Sequence, residues 1–257
     1  MNAIRCTVAG AAFWLALPFD SVPLDSLLKV TSAEWVMMLA ALSLGVALGD
    51  TLYLVAMKEI GVSRTLALTG TFPLTTLFWQ TLLLDAPFNP TLLLGSALVV
   101  GGLFFLSRSS ATDERPLRLH WGITLSIIAA LCWGFSATFL KPATAHMSTI
   151  QANAIRMPLI ALLLFIVRVL PSGNEHLRGI RMRSLLIVSA TGILGSGVGA
   201  YLFIYAITQA DPAKVVTLTS ISPLFGMLLA AMFLREKVTL RIATGVVLCM
   251  GGVYAVL

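Results

Sequence analysis

Apolar residues occupy this chain in runs of about 17 to 25, separated by short polar breaks. A bilayer core about 30 Å thick needs about 20 such residues at a rise of 1.5 Å each. The runs predict helices at about 2–19, 35–57, 63–83, 91–107, 121–140, 151–170, 184–208, 213–233 and 239–257. They specify an all-α, polytopic membrane protein with about nine transmembrane helices. The longest breaks, Asp20 to Glu34, Arg108 to His120 and Pro171 to Arg183, are too short for a water-soluble domain. Arg5 precedes the first run as in a signal peptide, but Pro18, Phe19 and Asp20 follow it in place of a small-residue cleavage site. The first run is expected to remain as a helix.

The charges between the runs add an orientation. Taken alternately, one set of breaks holds Lys58, Arg64, Arg108, Arg115, Arg118, Arg178, Arg181, Arg183, Arg235, Lys237 and Arg241. The other holds only Lys29, Lys141 and Lys214, beside the acidic Asp20, Asp25, Glu34 and Asp85. The positive-inside rule puts the basic set in the cytoplasm. With nine helices, the amino end is then cytoplasmic and the carboxyl end outside. The expected location is a cell membrane, in particular a bacterial inner membrane.

Composition supports lipid as the solvent. Apolar types make up 58% of the 257 residues and charged types 11%, with a mean hydropathy of +0.94. A soluble domain carries roughly a quarter charged residues, because it must present a wet surface. The net charge of +6 sits in the interhelical breaks, so nucleic acid is not an expected partner. Cys6, Cys132 and Cys249 lie apart within apolar runs, which excludes a disulfide framework or a zinc site of ordinary spacing. His120, His146 and His176 are far apart near loops and are expected to be solvated at the interface. No cofactor or metal is expected.

The chain repeats itself at a spacing of about 150 residues. Asn2-Ala3-Ile4-Arg5 recurs as Asn153-Ala154-Ile155-Arg156. Gly45 and Gly49 recur as Gly195 and Gly199, in register with Leu52 and Leu202, and with Ala56 and Ala206. Leu68-Thr69 and Pro73-Leu74 recur as Leu218-Thr219 and Pro223-Leu224; Gly95, Gly101 and Gly102 recur as Gly245, Gly251 and Gly252. The expected organisation is a first repeat at 1–107, a connecting loop at 108–120 and a second repeat at 121–257. The first copy holds four helices and the second five, so the partner of the helix at 121–140 is missing. Five-helix units in tandem insert in opposite orientations, and the acidic break at 20–34 against its basic counterpart at 171–183 agrees. This is an inverted-topology tandem repeat, as in many secondary carriers.

Candidate chemistry is sparse. Pro73 and Pro223 fall near the middle of predicted helices, each four residues after a threonine, Thr69 or Thr219. Proline kinks a helix there, and a threonine hydroxyl can restore hydrogen bonding. The kinks either serve packing or expose carbonyls to a cavity. The Gly45/Gly49 and Gly195/Gly199 pairs are small-xxx-small contacts expected to pack helices. Charge inside a span costs about 2.5–3.5 kcal/mol at a helix centre. Asp50, well inside its span, is therefore the leading candidate for proton coupling or for pairing a cation. Lys141 and Arg156, with Arg5, either snorkel to the interface or face a cavity. Tyr53, Trp133, Tyr201, Phe203 and Tyr205 could line a pocket by stacking or cation–π contact, or pack and face lipid. No phosphate-binding loop and no set of catalytic types supports ATP-driven transport or an enzyme.

Trp133-Gly134 followed by Lys141, Arg156, Tyr201 with Ala206, Leu218 with Pro223-Leu224, and Glu236 followed by Thr239 and Gly245 appear in a specific order. In that order the chain resembles the drug/metabolite transporter superfamily, specifically its EamA-like proteins of two five-helix repeats. The resemblance covers essentially the whole chain. It departs in the first copy, which lacks a first helix and carries Asp85-Ala86-Pro87 where a glutamate is usual. It implies an all-helical inverted-repeat carrier that exports or exchanges small metabolites or drugs on ion or solute gradients. The competing expectation is a non-transporting membrane subunit or truncated relative. Expected partners are the bilayer, an unidentified small-molecule substrate, and a second copy or another chain that supplies the missing helix.

Overall fold

The computed structural model describes residues 2–109, 118–166, 182–222, 225 and 240–257. All regular structure among them is helical: α1 (Asn2–Ala16), α2 (Ser32–Leu42), α3 (Asp50–Ile60), α4 (Val62–Thr69), α5 (Phe72–Leu83), α6 (Pro90–Ser109), α7 (Leu119–Ala143), α8 (Thr149–Leu164), α9 (Met182–Thr191), α10 (Ala200–Gln209), α11 (Pro212–Thr219) and α12 (Leu240–Val256). The helix starts are legible in chemistry. Thr31 with Glu34, and Ser148 with Gln151, form reciprocal capping boxes at α2 and α8. Asp211 caps α11, with Pro212 in the first turn, where a missing N–H costs nothing. Gly61 takes φ 82° between α3 and α4, a turn that a residue with a side chain rarely adopts.

Among the described residues, three apolar helices run without interruption for a full crossing: Ser32–Ile60, Leu119–Ala143 and Met182–Gln209, with 29, 25 and 28 residues. Two of them contain a π-helical stretch, Ser43–Gly49 between α2 and α3 and Gly192–Gly199 between α9 and α10. These stretches lie at matching places in the repeat. Lipid-facing residues stay uncovered, with Leu186 64% and Leu194 68% exposed. In water such side chains would be a liability; in a bilayer they form the ordinary outer face.

One expectation changes. The run at 63–83 is not a kinked helix but two helices, α4 and α5, separated by a turn at Gly70-Thr71. Pro73 is the second residue of α5, where its lost N–H breaks no internal bond. The same turn recurs at Ser220-Ile221 after α11. Pro223 lies outside the described residues, as do residues 110–117 of the connecting loop.

The chain divides into two compact units, each drawing on both halves of the sequence. One comprises Met1–Ala47 with Phe139–Ala210, the other Leu48–Thr138 with Asp211–Leu257. In the first unit α1 packs on α8. The Trp14 indole donates to the Ala154 carbonyl at 2.8 Å, and Gly10 faces Pro158, so the two helices run antiparallel. In the second unit α6 packs on α12 in the same way. A Cβ added to Gly252 would lie 2.5 Å from the Gly95 carbonyl oxygen, and one added to Gly102 would lie 2.6 Å from that of Gly245. Gly95 and Gly102 correspond by repeat to Gly245 and Gly252, so the two contacts exchange when the copies are exchanged. This helix pair is two-fold symmetric in its closest approach. Val99, Leu103, Leu106 and Cys249 are buried along it.

Neighbouring glycines in this seam should therefore behave differently. A Cβ at Gly102 meets the Cys249 sulfur at 2.5 Å as well as the Gly245 carbonyl, whereas one at Gly101 meets no described residue within 4 Å. Gly102→Ala is expected to cost about 1–3 kcal/mol by overpacking. Gly101→Ala should be neutral or slightly stabilising. Unfolding of the purified variants in detergent, followed by circular dichroism, separates the two; equal stabilities would contradict the close seam.

Candidate functional site

The candidates from the sequence separate into two groups and one outlier. In the second unit, α3 opens with Asp50 and carries Tyr53 on the next turn. Trp133 of α7 reaches both. Its indole N–H donates to Asp50 Oδ1 at 3.0 Å, and its ring centre lies 5.2 Å from that of Tyr53. Phe72, the first residue of α5, meets Trp133 edge-on at 6.1 Å. Gly134 lets α5 come close, because a Cβ there would fall 2.7 Å from the Thr75 carbonyl carbon. The Thr75 hydroxyl and the Trp79 indole then donate to the carbonyls of Ala130 and Leu131 at 2.7 and 2.9 Å. Trp133 and Gly134 thus act as a pair, one reaching α3 and the other admitting α5. The result is a carboxylate set against aromatic rings, a chemistry suited to a proton or an organic cation.

In the first unit, Lys141, Tyr201 and Tyr205 line a cleft of about 880 Å³. Lys141 Nζ donates to the Ala210 carbonyl at 2.9 Å, at the carbonyl end of α10, where a cation is favoured. Tyr201 and Tyr205 stand one turn apart on α10 with parallel rings, 6.4 Å between centres. They are 36% and 51% exposed. Asp20 in the same wall accepts from the Ser148 hydroxyl and from the Val22 N–H. Gln151 donates to the carbonyls of Val22 and Pro23, which ties this rim to the start of α8.

Arg156 joins neither group. It is 8% exposed on α8, and its Nη1 donates to Asn153 Oδ1 at 3.4 Å. Its Nε has no partner, and among the described residues no carboxylate pairs with it. Arg5, its repeat counterpart, turns inward too. It donates to the Thr191 carbonyl at 3.4 Å and lies over Gly195, where an added Cβ would approach the guanidinium to 2.7 Å. A Cβ at Gly199 would meet only the Leu194 carbonyl of its own helix, at 3.7 Å, so Gly195 adjoins another helix and Gly199 does not. Thr69 and Thr219 bond back to carbonyls of their own helices, Thr65 for the first and Val215 and Val216 for the second. At the break itself, the Thr71 hydroxyl takes the Leu68 carbonyl at 2.6 Å.

The family model of the EamA-like transporter family matches residues 1–108 and 120–257. The chain belongs to that family. An "Uncharacterized transporter" of Archaeoglobus fulgidus is similar to this EamA-like chain, with 25% identity over 199 residues, covering 77% of this chain and 67% of the relative. A solved structure titled only "Crystal structure of protein" shares the fold, with a TM-score of 0.72 at 18% identity, covering 99% of this chain and 85% of the other. This EamA-like transporter is accordingly a polytopic, all-helical membrane protein.

The hydropathy reading passed over several polar groups of this EamA-like chain. His146 pairs with Glu34 at 2.6 Å, and the buried Gln80 bonds both Asp211 and the Ala213 N–H. The Ser148-x-x-Gln151 and Thr31-x-x-Glu34 spacings were available as capping signals. Nothing in the sequence near Gln80 points to Asp211, because that contact spans 131 positions.

If Asp50 holds the Trp133 indole, its substitutions should rank by acceptor. Asp50→Ala strands the indole N–H and is expected to cost about 1–3 kcal/mol. Asp50→Asn keeps an oxygen there and should cost less. Thermal unfolding of both variants, with tryptophan emission as the reporter, tests the order; equal losses would count against the bond.

Proposed function

We propose that this chain is a secondary transporter that exports or exchanges small metabolites or drugs by alternating access. The observation that carries the reading is the reciprocal antiparallel seam, Gly95 on Gly252 and Gly102 on Gly245. A two-fold relation between inverted copies supplies two equivalent packings, one open to each side of the membrane. The helix turns at Gly70-Thr71 and Ser220-Ile221 support the same reading, since they give each copy a hinge at one register. Asp50 is the coupling carboxylate in this reading, and Lys141, Tyr201 and Tyr205 contact substrate. Arg156 supplies positive charge to the transport path: a buried guanidinium with no acid partner among the described residues contributes little to stability. The basic breaks face the cytoplasm and the carboxyl end lies outside.

Proteoliposomes loaded with a metabolite mixture, under imposed proton, sodium or solute gradients, test the activity by mass spectrometry of the contents. Saturable movement of at least one solute is expected. Movement of none under any gradient would favour a non-transporting subunit. In active vesicles Arg156→Met should unfold no earlier than the parent. Its flux should fall about tenfold or more, equivalent to roughly 1.4 kcal/mol of lost interaction. Undiminished flux would remove Arg156 from the path. A reporter active only in the cytoplasm, fused after Leu257, should be silent; activity would reverse the assigned orientation.

A further inference from the structure

The cleft of the first unit has a charge asymmetry that suggests what it takes. Two charged side chains stand in its wall, Asp20 and Lys141. The carboxylate is engaged on both oxygens: Oδ1 accepts from the Val22 N–H at 3.2 Å and Oδ2 from the Ser148 hydroxyl. The ammonium uses one of its three donors, on the Ala210 carbonyl at 2.9 Å. Both groups keep capacity toward a guest, the ammonium two donors and the carboxylate about two lone-pair sites, but both donors to Asp20 come from the loop and the cap of α8 that it ties together. Thr149 and Ile150, the first residues of α8, line the same space, and the amino end of that helix reinforces the positive field.

The apolar side of the cleft is equally specific. Tyr201 and Tyr205 lie with their planes only 5° apart and remain substantially exposed. The stacked phenol rings put aromatic surface on the cleft, and about 880 Å³ is in the range of small-molecule sites.

Resting on the transporter reading above, we propose that this cleft binds an aromatic organic anion, with its apolar body at Tyr201 and Tyr205 and its anionic group at the Lys141 ammonium. An organic cation would gain from the tyrosines and from Asp20 but would face the Lys141 charge and the amino end of α8.

Equilibrium dialysis against the full chain in phosphatidylcholine nanodiscs tests this with three probes of one shape: benzoate, benzyl alcohol and benzylammonium. Empty nanodiscs correct for partition into lipid. Benzoate is expected to bind best and benzylammonium worst. Lys141→Gln should lower benzoate affinity about tenfold, the worth of one charge-assisted hydrogen bond, and leave benzyl alcohol nearly unchanged. Lys141→Arg should preserve the preference. Tyr201→Ala with Tyr205→Ala should weaken all three probes alike. General loosening of the cleft would lower all probes together, so the benzoate-to-benzylammonium ratio is the deciding readout. A ratio unmoved by Lys141→Gln, or benzylammonium binding as well as benzoate, overturns the proposal. Charge-selective binding without vesicle flux would keep this site and reject the transporter reading; flux with a Lys141-independent ratio would do the reverse.

Discussion

Hydrocarbon offers no hydrogen-bond partner, so every backbone N–H and C=O within a bilayer must be satisfied by the protein itself. In this chain that constraint explains where the polar side chains have gone. They collect where helices are interrupted or end. Thr71 takes the Leu68 carbonyl at the turn between α4 and α5, and Thr75 fills the Ala130 carbonyl across to α7. Thr219 and Ser220 bond back into α11 just before the corresponding turn. Lys141 closes the carbonyl end of α10, and Arg5 reaches the Thr191 carbonyl at the entry to a π-helical stretch. The interruptions are tolerable because each brings its own acceptor or donor, and such places are where a membrane helix can bend or separate.

Close approach is the second theme. Lipid tails are as apolar as leucine, so helices gain little by merely hiding apolar surface and must gain by contact. Gly95, Gly102, Gly245 and Gly252 bring backbone against backbone in the α6–α12 seam, and Gly134 does the same for α5 on α7. Because the seam glycines correspond by repeat, this close backbone contact of the second unit is also symmetric. A gene duplication inserted in opposite orientations generates such a contact from a single set of small residues.

Charge gives the remaining clue. Desolvating an ion is costly, and a fold with no use for Arg156 has cheaper ways to fill that space. Arg156 leans on Asn153 alone among its described hydrogen-bond partners, while Asp50 is held by the Trp133 indole and Lys141 by a helix end. In the function proposed above, these are the groups that a transported solute or proton would meet.

The amino-acid sequence alone determined the helical, polytopic class, the basic and acidic breaks and the self-similarity at a spacing of about 150 residues. Those features depend on hydropathy summed along about 20 residues and on spacing, and both are one-dimensional. It also marked the residues Asp50, Tyr53, Trp133, Lys141, Arg156, Tyr201 and Tyr205. Only the tertiary structure decided how they assort: Asp50, Tyr53 and Trp133 meet, Lys141 shares a cleft with Tyr201 and Tyr205, and Arg156 stands apart. Membrane helices are apolar on nearly every side, so sequence periodicity does not say which face turns inward. That rotation is set by where glycines let backbones touch, and hence by contacts between residues far apart in the sequence. The same holds at Pro73, where the run read as a single kinked helix is two helices. Whether a proline bends a helix or starts a new one depends on the turn before it, where the Gly70 and Thr71 N–H groups donate to the Leu66 and Leu68 carbonyls of α4.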